Sequence, residues 1–549
     1  MLTLLTFLVL QPEAAQRLQQ VADSVAVVRA ASRAQVEFET QRRQRLPVGW
    51  GSGGRCDVRV GRFCYWHDES LPRGPEEPSS IAPFRERLLQ HLRTAASEVP
   101  GDRWVSGQWV RYLVESGDHD GAVNAARSCR AEVWWCLALE GFALHAARDY
   151  LAAEQLFDAA LGAMDSTRRC AWNDVGVLLS PNRRRELSRW SCAAREAWAT
   201  ERWAFADPLW SLPGNDRRTE HFARHVMAEL ERVSRSPYHM TWGEDSHELM
   251  LRYGWPERWS RRPASGMDLG DVHVIGHEPH PAFQFFPDDS GLGAPDLMTN
   301  ARWNLRPREA ENRYAPLYGG AALSADAQVA RFRRADAFLV VTAVVPPVDT
   351  AFDEPAARWS LGTLDSVRVA SSVPITTGPT MTTVSSSVRW VSIEAVDSLH
   401  RAFARHRMAL PGAEVPGLLL YRDPRRDDAT LEAVIPRMLP SLRVRRAEPL
   451  GLYWEYAAPA ARDSLTHVIS VYPRSARWLT RLARTLRLAE AAAPVHVRVV
   501  EPATSGTVAS RAIALDLSGL APGTYDLRVR VESGERTLGD VTRTIAVVR

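Results

Sequence analysis

The spacing of apolar residues changes character near residue 270: before it they recur every three or four positions, and after it they alternate. Residues 17 to about 46 carry Ala and Val at helical spacing among Gln and Arg, and Pro47 ends the run before the linker "GWGSGG". In "CDVRVGRFCYWHDES", Val58 and Val60 alternate around Gly61, which predicts a small hairpin with Cys56 and Cys64 at its ends. The pattern is helical again from about 81 to 205. A further helix is expected in "NDRRTEHFARHVMAELERV", capped by Asn215 or Asp216, with Phe222, Val226, Met227 and Leu230 as its apolar stripe. Next comes "TWGEDSHELMLRYGWPERW", Thr241 to Trp259, which reads as two tight turns around a short apolar strand, Leu249 to Leu251. Beyond 270, "VHVIG", "FLVVTAVV", "LGLYWEY", "VHVRVV" and "GTYDLRVRVES" read as strands. In the last of these, Tyr525, Leu527, Val529 and Val531 share one face. Helical-looking pieces near 394–408 and 476–492 interrupt the series.

The fold class that follows is multidomain α + β: a helical N-terminal half with disulfides, then an antiparallel β-sandwich. The expected boundaries are an apolar leader at 1–16, a helix at 17–48 and a Cys-bearing hairpin with linker at 49–80. They continue with a helical domain at 81–205, a helix-turn-strand segment with connector at 206–320, and the sandwich at 321–549. Within the helical domain, Tyr150, Ala153, Phe157 and Ala160 set small residues against an aromatic on paired helices. The series resembles a tetratricopeptide repeat. A degenerate copy places Ala122 and Ala126 in the slots of Ala153 and Phe157, an offset of 31 residues. Such arrays expose concave grooves, and the aromatic stretch Trp172 to Trp210, with Trp190, Trp198 and Trp203, is a candidate lining.

Composition removes several chemistries. All 68 basic residues are arginine, so a Walker-type phosphate loop, a kinase β3 lysine and Schiff-base catalysis are excluded. The formal net charge of +3 and the interspersed signs give no nucleic-acid face, and Arg183-Arg184-Arg185 reads as a solvated helix end. The six cysteines, Cys56, Cys64, Cys129, Cys136, Cys170 and Cys192, cluster in pairs along the chain, which suggests sequential disulfides among the possible connectivities. Cys129 and Cys136 would then clamp one helix pair to the next. Leu2 to Leu10 is an apolar run of signal-peptide length, and no segment is apolar enough to span a bilayer. Together these predict an exported, extracytoplasmic protein (periplasmic or secreted).

The stretch around Trp242 resembles the GWxTD family of bacterial exported proteins, in which a Gly-Trp-x-Thr-Asp motif precedes a short apolar strand and a Tyr-Gly-x-Pro-Asp turn. Trp242 and Asp245 match the first motif; Tyr253, Gly254, Pro256 and Glu257 match the turn. Thr241 stands where the family has glycine, and Glu244 where it has threonine. The likeness extends over roughly 215–549. It implies export and architecture rather than an activity, with the motif acting as a clasp from a helix to the sandwich.

Candidate chemistry centres on "DVHVIGHEPHPAF", where His273 and His277 fall on one face of a strand with His280 beyond, a candidate zinc set. No Gly-x-Ser-x-Gly elbow occurs. The expected function is therefore non-catalytic binding or scaffolding at the cell envelope or outside it. A protein or peptide is the expected partner, and no cofactor is expected. The alternative is a metal-dependent hydrolase using His273, His277 and His280.

Overall fold

The computed structural model describes residues 12–49, 58–65, 74–262, 274–279, 281–287, 310–318, 320–349, 352–353, 357–365, 369–397, 402–410, 417–457, 464–474, 495–502, 508–534 and 536–549. The chain forms two units, Met1–Pro208 with Leu212–Leu317, and Leu209–Ser211 with Tyr318–Arg549.

The first unit is mainly helical. Helix α1 (Pro12–Arg45) starts inside the expected leader, whose residues 1–11 lie outside the described residues. The hairpin β1 (Val58–Val60) and β2 (Phe63–Tyr65) turns through Gly61, which takes the left-handed φ of +53°. Helices α2 (Ala82–Glu98), α3 (Arg103–Glu115), α4 (His119–Ser128), α5 (Val133–Ala146) and α6 (Tyr150–Ala163) follow, each packed on the next. The hairpins α3–α4 and α5–α6 repeat one another position by position at the offset of 31. Gly117 and Arg148 both take positive φ in the turn, +81° and +68°. Asp118 and Asp149 then cap the second helix, accepting from the amides of Gly121 and Ala152 at 2.9 and 3.1 Å. Ala122 and Ala153 are both fully buried, and Phe157 packs so closely on Gly141 that a Cβ there would lie 3.1 Å from its ring.

Short helices α7 (Ser166–Trp172) and α8 (Pro181–Leu187) lead to α9 (Cys192–Ala206). The disulfide Cys129–Cys136 ties the end of α4 to the first turn of α5, and Cys170–Cys192 ties α7 to α9. Cys64 is also disulfide-bonded, and Cys56 lies outside the described residues. Closing a loop of about 22 residues stabilises by roughly 3 kcal/mol in the chain-entropy account.

Helix α10 (Asp216–Arg232), capped by Asn215, packs against α3, α5 and α6. The face of the helical array expected to stay open is therefore filled by the chain itself. Its apolar stripe, Phe222, Val226, Met227 and Leu230, joins Phe157 and Trp135 in one core, but the opposite face is buried as well. Trp172 and Trp203 are core residues and only Trp190 is notably exposed, so this stretch packs the interior rather than lining a groove.

Helix α11 (Glu244–Tyr253) occupies the stretch predicted as a strand. Leu249 to Leu251 is too short a run to decide by periodicity. Ser246, Met250, Leu251 and Tyr253 are buried at helical spacing. Strands β3 (Arg258–Arg261) and β4 (Val274–His277) close the unit as an antiparallel pair.

The second unit is strand-rich. It comprises β5 (Ala321–Ser324), β6 (Asp326–Arg334), β7 (Ala337–Val345), β8 (Arg358–Leu364), β9 (Val369–Pro374), β10 (Thr380–Ser385), β11 (Trp390–Val396), β12 (Ala402–Ala409) and β13 (Gly417–Tyr421). The short helix α12 (Leu431–Val434) precedes β14 (Arg443–Arg445), β15 (Leu450–Ala457), β16 (Ser464–Pro473), β17 (Val495–Pro502), β18 (Val508–Leu515), β19 (Gly523–Ser533) and β20 (Arg536–Val548). Of residues 394–408, which looked helical, 394–396 belong to β11 and 402–408 to β12, while 398–401 and 476–492 lie outside the described residues.

A single two-sheet core was expected here, and the strands instead form two pairs of sheets. The sheets β10-β7-β6 and β5-β12-β11-β8-β9 share a core containing Phe338, Val340, Leu361 and Ile393. The sheets β13-β15-β18 and β14-β20-β19-β16-β17 share another containing Leu452, Trp454, Ile469 and Val529. Each five-stranded sheet carries one parallel edge pairing, β5 on β12 and β14 on β20, so the sheets are not wholly antiparallel. A third cluster, with Phe332, Val341, Leu419 and Tyr453, covers the opposite faces of β6–β7 and β13–β15. Burial on both faces explains why "FLVVTAVV" is a continuous apolar run.

Candidate binding site at the end of α10

Helix α10 brings a polar cluster into the core of the first unit. Glu220 accepts a hydrogen bond from Arg224 Nε at 2.6 Å and lies 2.8 Å from His145 Nε2. Burial alone would raise its carboxyl, but the Arg224 charge and the His145 contact outweigh that and bring it down to about 2. Arg224, 2% exposed, donates onward to the carbonyls of Leu251 and Arg313 at 3.0 and 2.7 Å. His225 stacks on Trp172 and meets His221 edge-on. Burial, aided by His247, pushes His225 down to about 3.

The residues singled out as a motif serve this cluster and the β1–β2 hairpin. Gly254 caps α11 at φ +90°, and a Cβ there would come within 3.1 Å of the Arg224 guanidinium. Only a residue without a side chain both takes that backbone conformation and leaves Arg224 Nη2 its path to the Arg313 carbonyl. Tyr253 stacks on Tyr65 of the hairpin at 3.8 Å between ring centroids. Pro256 packs against Gly276, and the Glu257 amide donates to the His277 carbonyl at 2.9 Å. Asp245 receives the Arg62 amide at 3.0 Å, Arg62 Nε at 2.7 Å and Nη2 at 2.8 Å, and the Ser246 amide at 2.9 Å. The bonds from Arg62, then the burial they offset and the backbone amides, leave its carboxyl well below the usual carboxylate range. The clasp therefore ties α11 to the disulfide-bearing hairpin inside the first unit, and it was expected to reach the sandwich. Asp245→Ala is expected to cost about 1 kcal/mol, because solvent screens this partly exposed pair. Urea titration checks this; an unchanged midpoint would remove the clasp from the account.

Trp242 packs on the helical core and borders a groove of about 870 Å³. One wall is α1, through Ser32, Gln35 and Val36; the other is the end of α10 and the extended Met240–Gly243 segment. The last carbonyls of α10 and its exit are held by side chains of the neighbouring helices, which fixes that wall. Gln108 Nε2 donates to Leu230 O at 3.1 Å, Trp104 Nε1 to Val233 O at 3.0 Å, and Gln35 Nε2 to Arg235 O at 2.7 Å. Val36, Val233 and Met240 stand 39%, 53% and 40% exposed along the rim.

Of the histidine set only His277 is among the described residues: it ends β4 with its Nε2 2.7 Å from the Ser260 hydroxyl, and His273 and His280 lie outside them. Among the described residues no group of three or more His, Cys, Asp or Glu side chains could hold a metal ion. Nor is any described helix long and apolar enough to cross a membrane. What the sequence did not point to was the groove and the buried α10 cluster; the Glu220–Arg224 spacing of four was the available signal for the latter.

No protein-family model matches the chain, and no curated protein matches it. Among solved structures, the crystal structure of the Bacillus thuringiensis insecticidal crystal protein Cry7Ca1 (wild type) aligns at 9% identity over 85% of this chain and 84% of that one, with a TM-score of 0.08, which carries no argument about fold or function.

Proposed function

We propose that this chain is a non-catalytic binding protein of an oxidising, extracytoplasmic compartment, and that it holds an extended segment of a partner protein in the groove between α1 and the end of α10. The observation that carries this reading is the groove itself: about 870 Å³, within the range of ligand sites, with braced walls and three exposed apolar side chains at its rim. Its charges are of both signs, Glu229 and Glu244 with Arg232 and Arg235, which suits a neutral peptide backbone better than a strongly charged ligand. The disulfides Cys129–Cys136 and Cys170–Cys192, with the bonded Cys64, support the compartment. In this reading α3 to α6 are tetratricopeptide-like hairpins whose usual groove α10 has taken over. The strand-rich unit is a tandem of two β-sandwiches, and residues from about 215 onward are GWxTD-like.

Val233→Arg tests the reading, since the residue is exposed and the change should move stability by no more than about 0.5 kcal/mol. Peptides selected by the purified full chain from a random library should bind the variant at least tenfold more weakly by fluorescence polarisation. Equal binding by the folded variant would refute the groove.

A further inference from the structure

Beside the groove, and sharing Ser234, Met240 and Trp242 with it, is a smaller cavity of about 40 Å³. That volume exceeds what one water needs and suits the end of a side chain rather than a whole ligand. Its walls are of two kinds. Phe63, Tyr238 and Trp242 supply aromatic surface, with the Phe63 and Tyr238 rings meeting edge-on at 5.9 Å between centroids. Glu231 and Glu278 supply carboxyl groups.

The two carboxyls differ in how they are compensated. Glu231 accepts from Arg111 Nη2 at 3.3 Å, but that guanidinium is shared with Glu115 at 2.9 Å. Glu278 has the charges of Arg313 and Arg224 near it but no ion pair among the described residues. Burial raises both carboxyls, Glu278 to about 7, and the neighbouring guanidinium charges offset that only in part. The remaining wall sets the apolar Leu249, Met250 and Pro256 beside the hydroxyls of Ser234, Ser236 and Ser246. A calcium or magnesium ion requires an all-oxygen shell, and the aromatic and apolar parts of the wall supply none of it. Aromatic faces with carboxylates behind them recognise ammonium groups on alkyl stems. Phe63 already meets a cation of the chain itself, the Arg62 guanidinium at 5.7 Å from its centroid, so the Tyr238 and Trp242 rings are the aromatic surface left to a ligand.

We propose that the cavity lined by Phe63, Tyr238, Trp242, Glu231 and Glu278 is a cation site that takes the terminal ammonium of a lysine-type side chain. The chain contains no lysine of its own, so such a group has to come from outside it. The site stands apart from the peptide groove in its test, because a free alkylammonium needs no extended backbone.

The experiment is calorimetric titration of the purified full chain with Nα-acetyl-lysine amide, its uncharged norleucine counterpart and calcium chloride, at pH 8. Saturable binding of the lysine derivative is expected, at least tenfold tighter than the norleucine compound, with calcium unable to compete. Glu278→Gln should weaken the lysine derivative at least tenfold. Trp242→Leu should also weaken it, and each variant's melting temperature serves as the folding control. Absent saturation, equal binding of the norleucine compound, competition by calcium, or full affinity in folded Glu278→Gln would each overturn the site. Val233→Arg should leave this titration unchanged, so a failed groove and a failed cation site give different results.

Discussion

Arg224→Met is expected to destabilise the first unit by about 3–5 kcal/mol, the cost of removing one partner from a buried ion pair. Glu220 would remain in the core with His145 as its hydrogen-bonding neighbour, and the carbonyls of Leu251 and Arg313 would each lose the bond from Arg224. The loss should exceed anything a surface substitution produces. It should also be partly undone by Glu220→Gln in the same chain, because the stranded charge is then gone. Denaturant titration followed by circular dichroism reads both variants. A cost below about 1 kcal/mol for Arg224→Met would mean that the cluster does not hold α10 in place.

The second large effect is pH-dependent and belongs to His225. Its imidazole is held neutral, with a folded value of about 3 against about 6.5 when unfolded. The unfolded chain therefore binds more protons over that window. The stability this group contributes is complete above pH 6.5 and is lost progressively as pH falls toward 3. Glu39 and Glu278, both raised to about 7, act in the opposite sense between pH 7 and the ordinary glutamate range, because the folded state favours their protonated forms. His221, which burial holds well below its ordinary value, acts in the same sense as His225, so the His225 contribution has to be isolated by difference. His225→Phe keeps a ring against Trp172 and removes the titration. Relative to wild type, its stability should improve by about 2 kcal/mol between pH 6.5 and pH 5. A difference that does not change with pH would show that His225 is hydrated in the folded protein.

Much of the fold could be read from local pattern, because local chemistry decides it. The cap at Asn215, the left-handed Gly61 and Gly254 and the repeating hairpins with their capping Asp118 and Asp149 all depend on residues within a few positions of one another. Strand positions such as Tyr525 and Val529 are equally plain, since alternation follows directly from burying one face. Pairing is different. Whether β7 covers one core or lies between two is settled by residues far along the chain, such as Leu419 and Tyr453, so the division into two sheet pairs left no local trace. The Leu249 to Leu251 run failed as a strand because three apolar residues in a row fit both periods.

The binding surface was less legible still. Tryptophans, glycines and a proline near 250 signalled tight geometry, and Asp245, Gly254 and Tyr253 do occupy demanding positions. Yet α10 was read through its apolar stripe alone. Arg217, Glu220, His221, Arg224 and His225 are buried as well, a placement that a one-dimensional pattern reports as surface. The groove follows from where α10 ends relative to α1, 200 residues apart at the Gln35–Arg235 bond.

The central claim is that the end of α10 and the segment after it form a binding surface with α1. Hydrogen exchange read by mass spectrometry, with and without a peptide selected by the full chain, tests it most directly. Protection gained at residues 32–36 and 232–247, with the rest of the chain unchanged, is the result expected. Protection confined to the strands of the second unit, with those two stretches unaffected, would contradict it.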